Sequence, residues 1–391
     1  MEYDPSAYAV HDDPYPTYRW LRDEAPLYRN DRLDFWALSR FDDVADALAD
    51  PATYSSAQGT QLESGGESLA SQQEMILLMD PPRHSLVRKL VSRAFTPRRV
   101  SELEPRIRGL CSDLLAPVGR AGGGDLVAEF AGALPMTVIG MLVGIDPVRG
   151  DEVRGLADRI NHREPGSVLP PPDAQVAGID LYRLFLDLVR VRRPAPADDL
   201  LGDLLAAEIT EGGATRRLDD HQIVMFCVLL ALAGYETTTK LIANLVVELA
   251  EFPEARAALL AGAPVAAAVE ESLRFDTPSQ YQGRVTTRPV RIHDGEIPPS
   301  SRVLLINGSA NRDERIFAEP DRFDVRRSID RHISFGQGPH YCIGASLARL
   351  EALAAIEELL VAMPGYRVDL DGVERRHSSN FRGLSRVPVI C

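Results

Sequence analysis

Lysine is nearly missing from this chain: Lys89 and Lys240 are the only two in 391 residues, so almost all positive charge is arginine. Codon usage in a GC-rich genome accounts for that bias, and no function is read from it. Acidic residues outnumber basic ones, 57 to 43, and the net charge of −14 lacks the basic footprint that sequence-independent binding to nucleic acid requires. The start, Met1-Glu2-Tyr3-Asp4, has neither a basic region nor an apolar stretch, so no secretory signal is expected. The strongest apolar run, Ile223 to Ala233, falls short of the roughly 20 residues of a membrane span. A cytoplasmic protein without membrane contact is therefore expected. Four cysteines (Cys111, Cys227, Cys342, Cys391) are too few for a disulfide framework, and no Cys-x-x-Cys pair suggests structural zinc.

What is present is ordinary globular composition, 45% hydrophobic and 26% charged. Helical periodicity dominates over Arg40 to Asp50, Pro97 to Val118, Asp151 to Arg163, Ile179 to Arg193 and Asp198 to Ile209. The longest helix is expected from about Asp219 to Ala250, with acidic residues at its start, and another from Ala345 to Met363, before Pro364 and Gly365. Strand-like stretches are short: Leu33 to Leu38, Arg284 to Arg291 and Arg302 to Asn307. Pro165, Pro170, Pro171 and Pro172 mark Glu164 to Gly178 as a loop. Length alone suggests two or three domains, but no linker or repeat divides the chain. The expectation is one mainly α domain over residues 1–391 with small β-sheets (α+β), its β-rich portion at about 25–60 and 284–310.

The most informative stretch is Phe335-Gly336-Gln337-Gly338-Pro339-His340-Tyr341-Cys342-Ile343-Gly344. Two glycines and a proline imply a tight turn whose backbone can approach a flat ligand. The cysteine then precedes an amphipathic helix, whose N-terminus favours a thiolate. Such a thiolate can ligate a metal or act as a nucleophile. Cys111 and Cys227, in apolar helical surroundings, suit the role of small core residues instead. The stretch resembles the haem-binding loop of the cytochrome P-450 superfamily at every defined position of Phe-x-x-Gly-x-(Arg/His)-x-Cys-x-Gly. The resemblance implies a triangular helical body around haem b (iron protoporphyrin IX), with Cys342 as the axial ligand to the iron. It places Phe335, Gly336 and Gly344 around the haem and His340 on a propionate, and thiolate ligation favours O–O cleavage.

Three further constellations occur in the family's order. Glu271 and Arg274 share one helical face; such spacing usually makes a surface ion pair of little worth. They resemble the family's Glu-x-x-Arg helix, and Pro320-Asp321-Arg322-Phe323 then supplies Arg322 as a third, structural partner. Ala233-Gly234-Tyr235-Glu236-Thr237-Thr238 puts a glycine and an acid inside an apolar helix. Both need a reason, since glycine costs roughly 1 kcal/mol there and unpaired buried polar groups cost more; a solvent-facing Glu236 and back-bonded threonines would be the plain one. The stretch resembles the family's oxygen-binding segment. Ala233 and Gly234 would then line the haem, Thr237 would hydrogen-bond oxygen or water, and Glu236 would relay protons. His84 and Arg88 lie four apart, so both point one way and repel unless an anion lies between them. They resemble the family's propionate-binding helix, and Arg284 resembles another propionate contact. One departure is Ser300, in Ile297-Pro298-Pro299-Ser300, where the family has a turn glycine.

The resemblance runs from Asp12 to Val389. It implies a monooxygenase that inserts one oxygen atom of O2 into a small organic molecule, in bacterial specialised metabolism by analogy. Its electrons would come from a ferredoxin and a ferredoxin reductase, since 391 residues leave no room for a fused reductase. Arg88, Lys89, Arg93, Arg98, Arg99 and Arg349 form the expected docking patch. Candidate substrate walls are Ser56 to Met79, Glu164 to Gly178 with flanking helices, Ala233 to Thr237, Pro278 to Gln282 and Phe381. His162, Arg163 and Glu164 on the lid either meet a polar or carrier-linked substrate or are solvated surface. Two alternatives share the fold: a peroxide-driven peroxygenase, against which Glu236 and Thr237 speak, and a non-catalytic haem-binding or recruitment protein. A cysteine hydrolase using Cys342 with His340 has poor nucleophile–base geometry.

Overall fold

The computed structural model describes residues 1–62, 74–164, 167, 169–211, 214–378 and 380–391. Part of the expected substrate wall, 63–73, and residues 165, 166 and 168 of the expected Glu164 to Gly178 loop lie outside the described residues, as does the side chain of Arg93.

Five short strands make a sheet at one side: β1 (Leu27–Asn30), β2 (Phe35–Leu38), β3 (Tyr54–Ser55), β4 (Gln282–Thr286) and β5 (Arg302–Leu305). Their order is β1-β2-β5-β4-β3, with β2 and β5 parallel and the other pairs antiparallel. The expected strand from Arg284 to Arg291 is two elements. β4 stops at Thr286, and Val290–Ile292 joins a separate hairpin with Gly295–Ile297, because Pro289 has no N–H to donate to a ladder. In the turn that follows, Ser300 has φ 61, so the left-handed conformation that favours glycine is kept here by a serine whose N–H donates to Thr286 O at 2.7 Å.

The helical body contains α1 (Phe41–Ala49), α2 (Arg83–Val91), α3 (Pro97–Ala121), α4 (Ala133–Val143), α5 (Gly150–Asn161), α6 (Pro172–Arg192), α7 (Leu200–Ala206), α8 (Asp220–Glu251), α9 (Val265–Phe275) and α10 (Ala345–Ala362). Two expectations are corrected. α6 begins at Pro172, seven residues before Ile179, because proline is tolerated in the first turn. Helix from Asp198 to Ile209 is confined to α7, capped by Asp199 accepting from Gly202 N; from Glu208 the chain pairs as a strand with Ala214–Arg217. C-terminal strands Arg367–Val368, β6 (Glu374–Arg375), β7 (Leu384–Arg386) and Pro388–Ile390 fall outside the expected β-rich portion, being too short to show a period.

α8 is the axis of the core. Asp219 and Gln222 form a reciprocal capping box at its start, and it packs against α4, α6, α9 and α10. By length and composition it could cross a membrane, but 67% of its most apolar stretch is buried inside the protein. Its apolarity is that of a helix surrounded by other helices.

The Glu271–Arg274 pair is no surface contact: both side chains are fully buried. Arg274 is bidentate on Glu271 at 2.8 Å and donates to the carbonyls of Asn311, Pro320 and Arg322. The third partner is not the Arg322 side chain, which is 59% exposed and faces Glu319 and Asp324. It is Arg327, whose Nε lies 3.2 Å from Glu271 Oε1 and whose Nη groups donate to Ala318, Glu319 and Arg322 carbonyls. The expectation failed because the chain turns after Phe323, carrying Arg322 outward and bringing Arg327 back. Removing Arg327 strips one cation from a buried carboxylate that Arg274 and the Asp324 N–H still hold. Arg327→Ala is therefore expected to cost roughly 3 kcal/mol in urea unfolding, and Arg322→Ala no more than about 0.5 kcal/mol.

Candidate functional site

The cysteine loop is a backbone construction. Cys342 N donates to Phe335 O at 2.8 Å, Gly336 N to Ile333 O and Tyr341 N to Gly338 O. Gly336 and Gly338 have φ 72 and 69. A side chain on Gly338 would press on the backbone of Leu48 and Ala49 in α1, so this glycine is required twice, by conformation and by space. Gly344 is different: a Cβ there would meet nothing within 4 Å. Phe335 is held by Arg349, whose guanidinium lies 4.5 Å from the ring centroid. Arg349 is itself fixed on Glu270, at 2.6 and 2.9 Å, and His332 joins the same carboxylate at 2.9 Å. Although burial opposes it, these partners hold the Glu270 carboxyl at about 2.

Cys342 is exposed as a residue, while burial pushes its thiol upward. The Gly344 backbone N–H, Arg88 and Arg349 act in the opposite direction and favour the thiolate. The two other helical cysteines behave as core: burial pushes Cys111 and Cys227 up to about 12.

Four basic groups converge from separate elements. His84 and Arg88 come from α2, Arg284 from β4 and His340 from the cysteine loop. The His84 and His340 rings lie 4.1 Å apart between centroids, and Ser56 Oγ is 3.3 Å from His340 Nε2. Burial pushes His340 down to about 3, with Arg284, His84 and Arg88 adding to it. Burial likewise brings Arg284 down to about 10, its guanidinium meeting Gly283 O and Gln282 Oε1. His84 Nδ1 is buried without a hydrogen-bond partner. Such a cluster is costly without an anion, and a ligand bearing two carboxylates would answer it. The residues present thus fit a haem.

On α8, Ala233 is exposed and Thr237 half-buried, while Tyr235, Glu236 and Thr238 are buried. Thr237 Oγ1 donates to Ala233 O at 2.7 Å, leaving its oxygen free to accept. Gly234 packs against α4, since a Cβ there would meet Ile139 Cδ1 at 2.7 Å; its glycine is thus accounted for by helix packing. Glu236 is not solvent-facing. It lies 3.3 Å from Lys240 Nζ with both side chains almost wholly buried. One residue is about 100° of helix rotation, so Glu236 and Thr237 diverge, and the structure does not bring them together.

Other expected sites separate similarly. Ser279 bridges to Phe381, joining two candidate walls, whereas Gln280 and Tyr281 are buried. His162 and Glu164 pair at the surface. Arg349 belongs to Glu270, and Arg88 is half-buried toward Cys342, so among the described side chains the exposed part of the basic patch is Lys89, Arg98 and Arg99. Sequence reasoning placed Ser56 only in a substrate wall and missed Glu270, Arg327 and Lys240. Of these, only Lys240 carried a signal, lying four residues after Glu236 on one helix.

The family model for cytochrome P-450 matches residues 265–381. Cytochrome P-450 123 of Mycobacterium tuberculosis is 44% identical over 389 residues, covering 99% of this chain and 96% of that one. The cyclomarin C epoxidase of Salinispora arenicola is 38% identical over 371 residues, covering 91% and 90%. Among solved structures, P450BioI, crystallised with an acyl carrier protein ligated to hexadec-9Z-enoic acid, superposes with a TM-score of 0.89 at 30% identity, covering 98% of this chain and all of that one. With Cys342 held in its glycine loop and relatives that match the chain end to end, the chain belongs to the cytochrome P-450 family and is a haem-thiolate monooxygenase.

Proposed function

We propose that this single-domain enzyme inserts one oxygen atom of O2 into a small organic substrate in the cavity between Cys342 and α8, in the cytoplasm of a bacterium and within specialised metabolism. The observation that carries the reading is Cys342, in its glycine loop, beside four basic groups among which Asp80 is the one carboxylate acting on His84 and Arg284 among the described residues. Its similarity to the cyclomarin C epoxidase supports the metabolic setting. When bound, haem b supplies an iron that activates dioxygen.

The chain's own residues do the rest. Cys342 would hold the iron through sulfur, with the Gly344 N–H, Arg88 and Arg349 stabilising its negative charge. Phe335 and Gly336 would form the wall beneath, Gly344 leaving clearance for a flat ring. His84, Arg88, Arg284 and His340 would hold the two propionates, which restore the charge balance their burial upsets. Ala233 and Gly234 would line the opposite side. Thr237 can accept a hydrogen bond from a water or ligand as it stands, and can donate one after releasing Ala233 O. Glu236 would store a proton one residue away.

A reduced ferredoxin, itself served by a reductase, would deliver electrons at the face around Lys89, Arg98 and Arg99, whose charge suits an acidic partner. The acyl carrier protein bound to P450BioI makes a carrier-linked substrate the second form to test here.

Three outcomes check this reading. Cys342→Ser is expected to bind haem while losing the red-shifted Soret band of the reduced carbon monoxide complex; retention of that band would sink the assignment. Arg284→Leu should release haem faster to apomyoglobin, by roughly tenfold for each ~1.4 kcal/mol of lost binding. Reduction by a ferredoxin should slow as salt rises from 0.05 to 0.5 M, about one to two decades of screening; salt-independent reduction discards the docking face.

A further inference from the structure

Lys240 is one of two lysines in the chain and is 3% exposed. A buried ammonium is costly, and burial lowers its pKa from the ordinary lysine value while Glu236 opposes that change. Three observations show how it is housed. Its Nζ lies 3.3 Å from Glu236 Oε1. The same Nζ donates to Leu384 O at 3.0 Å. Its stem lies on Gly383, where any Cβ would collide with Cβ, Cγ and Cδ of Lys240. Glycine at 383 therefore leaves space for this side chain.

A second pair adjoins the first. Arg376 Nη1 lies 3.2 Å from Asp158 Oδ1, and Asp158 accepts from the hydroxyl of Tyr235 at 3.2 Å. Asp158 and Arg376 both act electrostatically on Lys240, and the Glu236 charge acts on Asp158. Four charges thus join three elements: Glu236 and Lys240 on α8, Asp158 on α5, and Arg376 with Gly383 and Leu384 on the β6–β7 hairpin segment. That segment carries Phe381, and α5 ends at Asn161. Glu236 and Lys240 sit on one helix, whereas Gly383 and Leu384 belong to the hairpin. Lys240 is where the two meet.

We propose that Lys240 is a positioning residue that couples occupancy of the substrate cavity to Glu236. A ligand that displaces the hairpin through Phe381 loosens Lys240 from Leu384 O. The Glu236 carboxylate is then free to leave the face it shares with Lys240 and turn toward Thr237. In the empty cavity the pair holds the acid away from the reacting centre, which withholds protons until a substrate is present. This inference rests on the reading of the cavity as the substrate site.

The test is infrared difference spectroscopy of the holoenzyme with and without 4-phenylimidazole, a probe that fills a haem cavity. Glu236→Gln assigns the Glu236 carboxylate band, and the optical spectrum reports probe binding separately. In the wild type the probe is expected to shift that band. Lys240→Met is expected to bind the probe and show no probe-dependent shift. Gly383→Ala, which displaces the lysine stem and leaves every charge in place, is expected to lose the shift as well and serves if Lys240→Met does not fold. A wild-type band that ignores bound probe, or an unchanged shift in both variants, overturns the coupling. Failure of the wild type to bind the probe overturns the cavity reading instead.

Discussion

The buried ion pair between Glu271 and Arg274 sets the geometry on which the haem-side structure depends. Neither side chain reaches water, so each must be fully paired, since an orphaned buried charge costs several kcal/mol. Pairing is achieved by drawing in backbone: carbonyls of Asn311, Pro320 and Arg322, and the Asp324 N–H. Asn311 then extends the hold, accepting from Ile333 N and donating to Ser334 Oγ, which donates to Leu273 O. The segment leading into the cysteine loop is thereby tied to α9. Cys342 keeps its position because the charges behind it have no other way to be satisfied.

α8 serves as core axis and cavity wall together, and this sets its polar residues at odds. Its packed faces are apolar, while Ala233 is exposed and Thr237 half-buried. The interior acid beside them needs a counter-charge, and the helix provides one four residues on, at Lys240. An i, i+4 pair of this kind contributes little on a surface. In the interior it decides whether the acid is tolerated at all.

Much of the fold was legible in particular residues. Acidic Asp219 and Asp220 marked the start of α8, and Pro364 with Gly365 the end of α10, because caps and breakers act locally. The four basic residues at the cavity were legible only through the resemblance, since nothing in the chain between His84 and His340 says that they converge. Arg322 looked like the third partner of Glu271 by its place in a motif, and Arg327 fills that position because the chain turns after Phe323. Arg349 looked like a docking cation, and is committed to Glu270.

The order of residues along the chain by itself determined the mainly helical class, the glycine-shaped cysteine loop and the kind of chemistry a thiolate there can support. These are properties of short windows, governed by backbone freedom, periodicity and capping. Only the tertiary structure decided which charges meet. Lysine scarcity looked like genome composition, and yet Lys240 is the buried counter-ion of Glu236, with Gly383 and Leu384 arranged around it. A buried charge takes its meaning from its partners and the space left for it, and here the accepting carbonyl of Leu384 and the space beside Gly383 lie more than a hundred residues along the chain from Lys240.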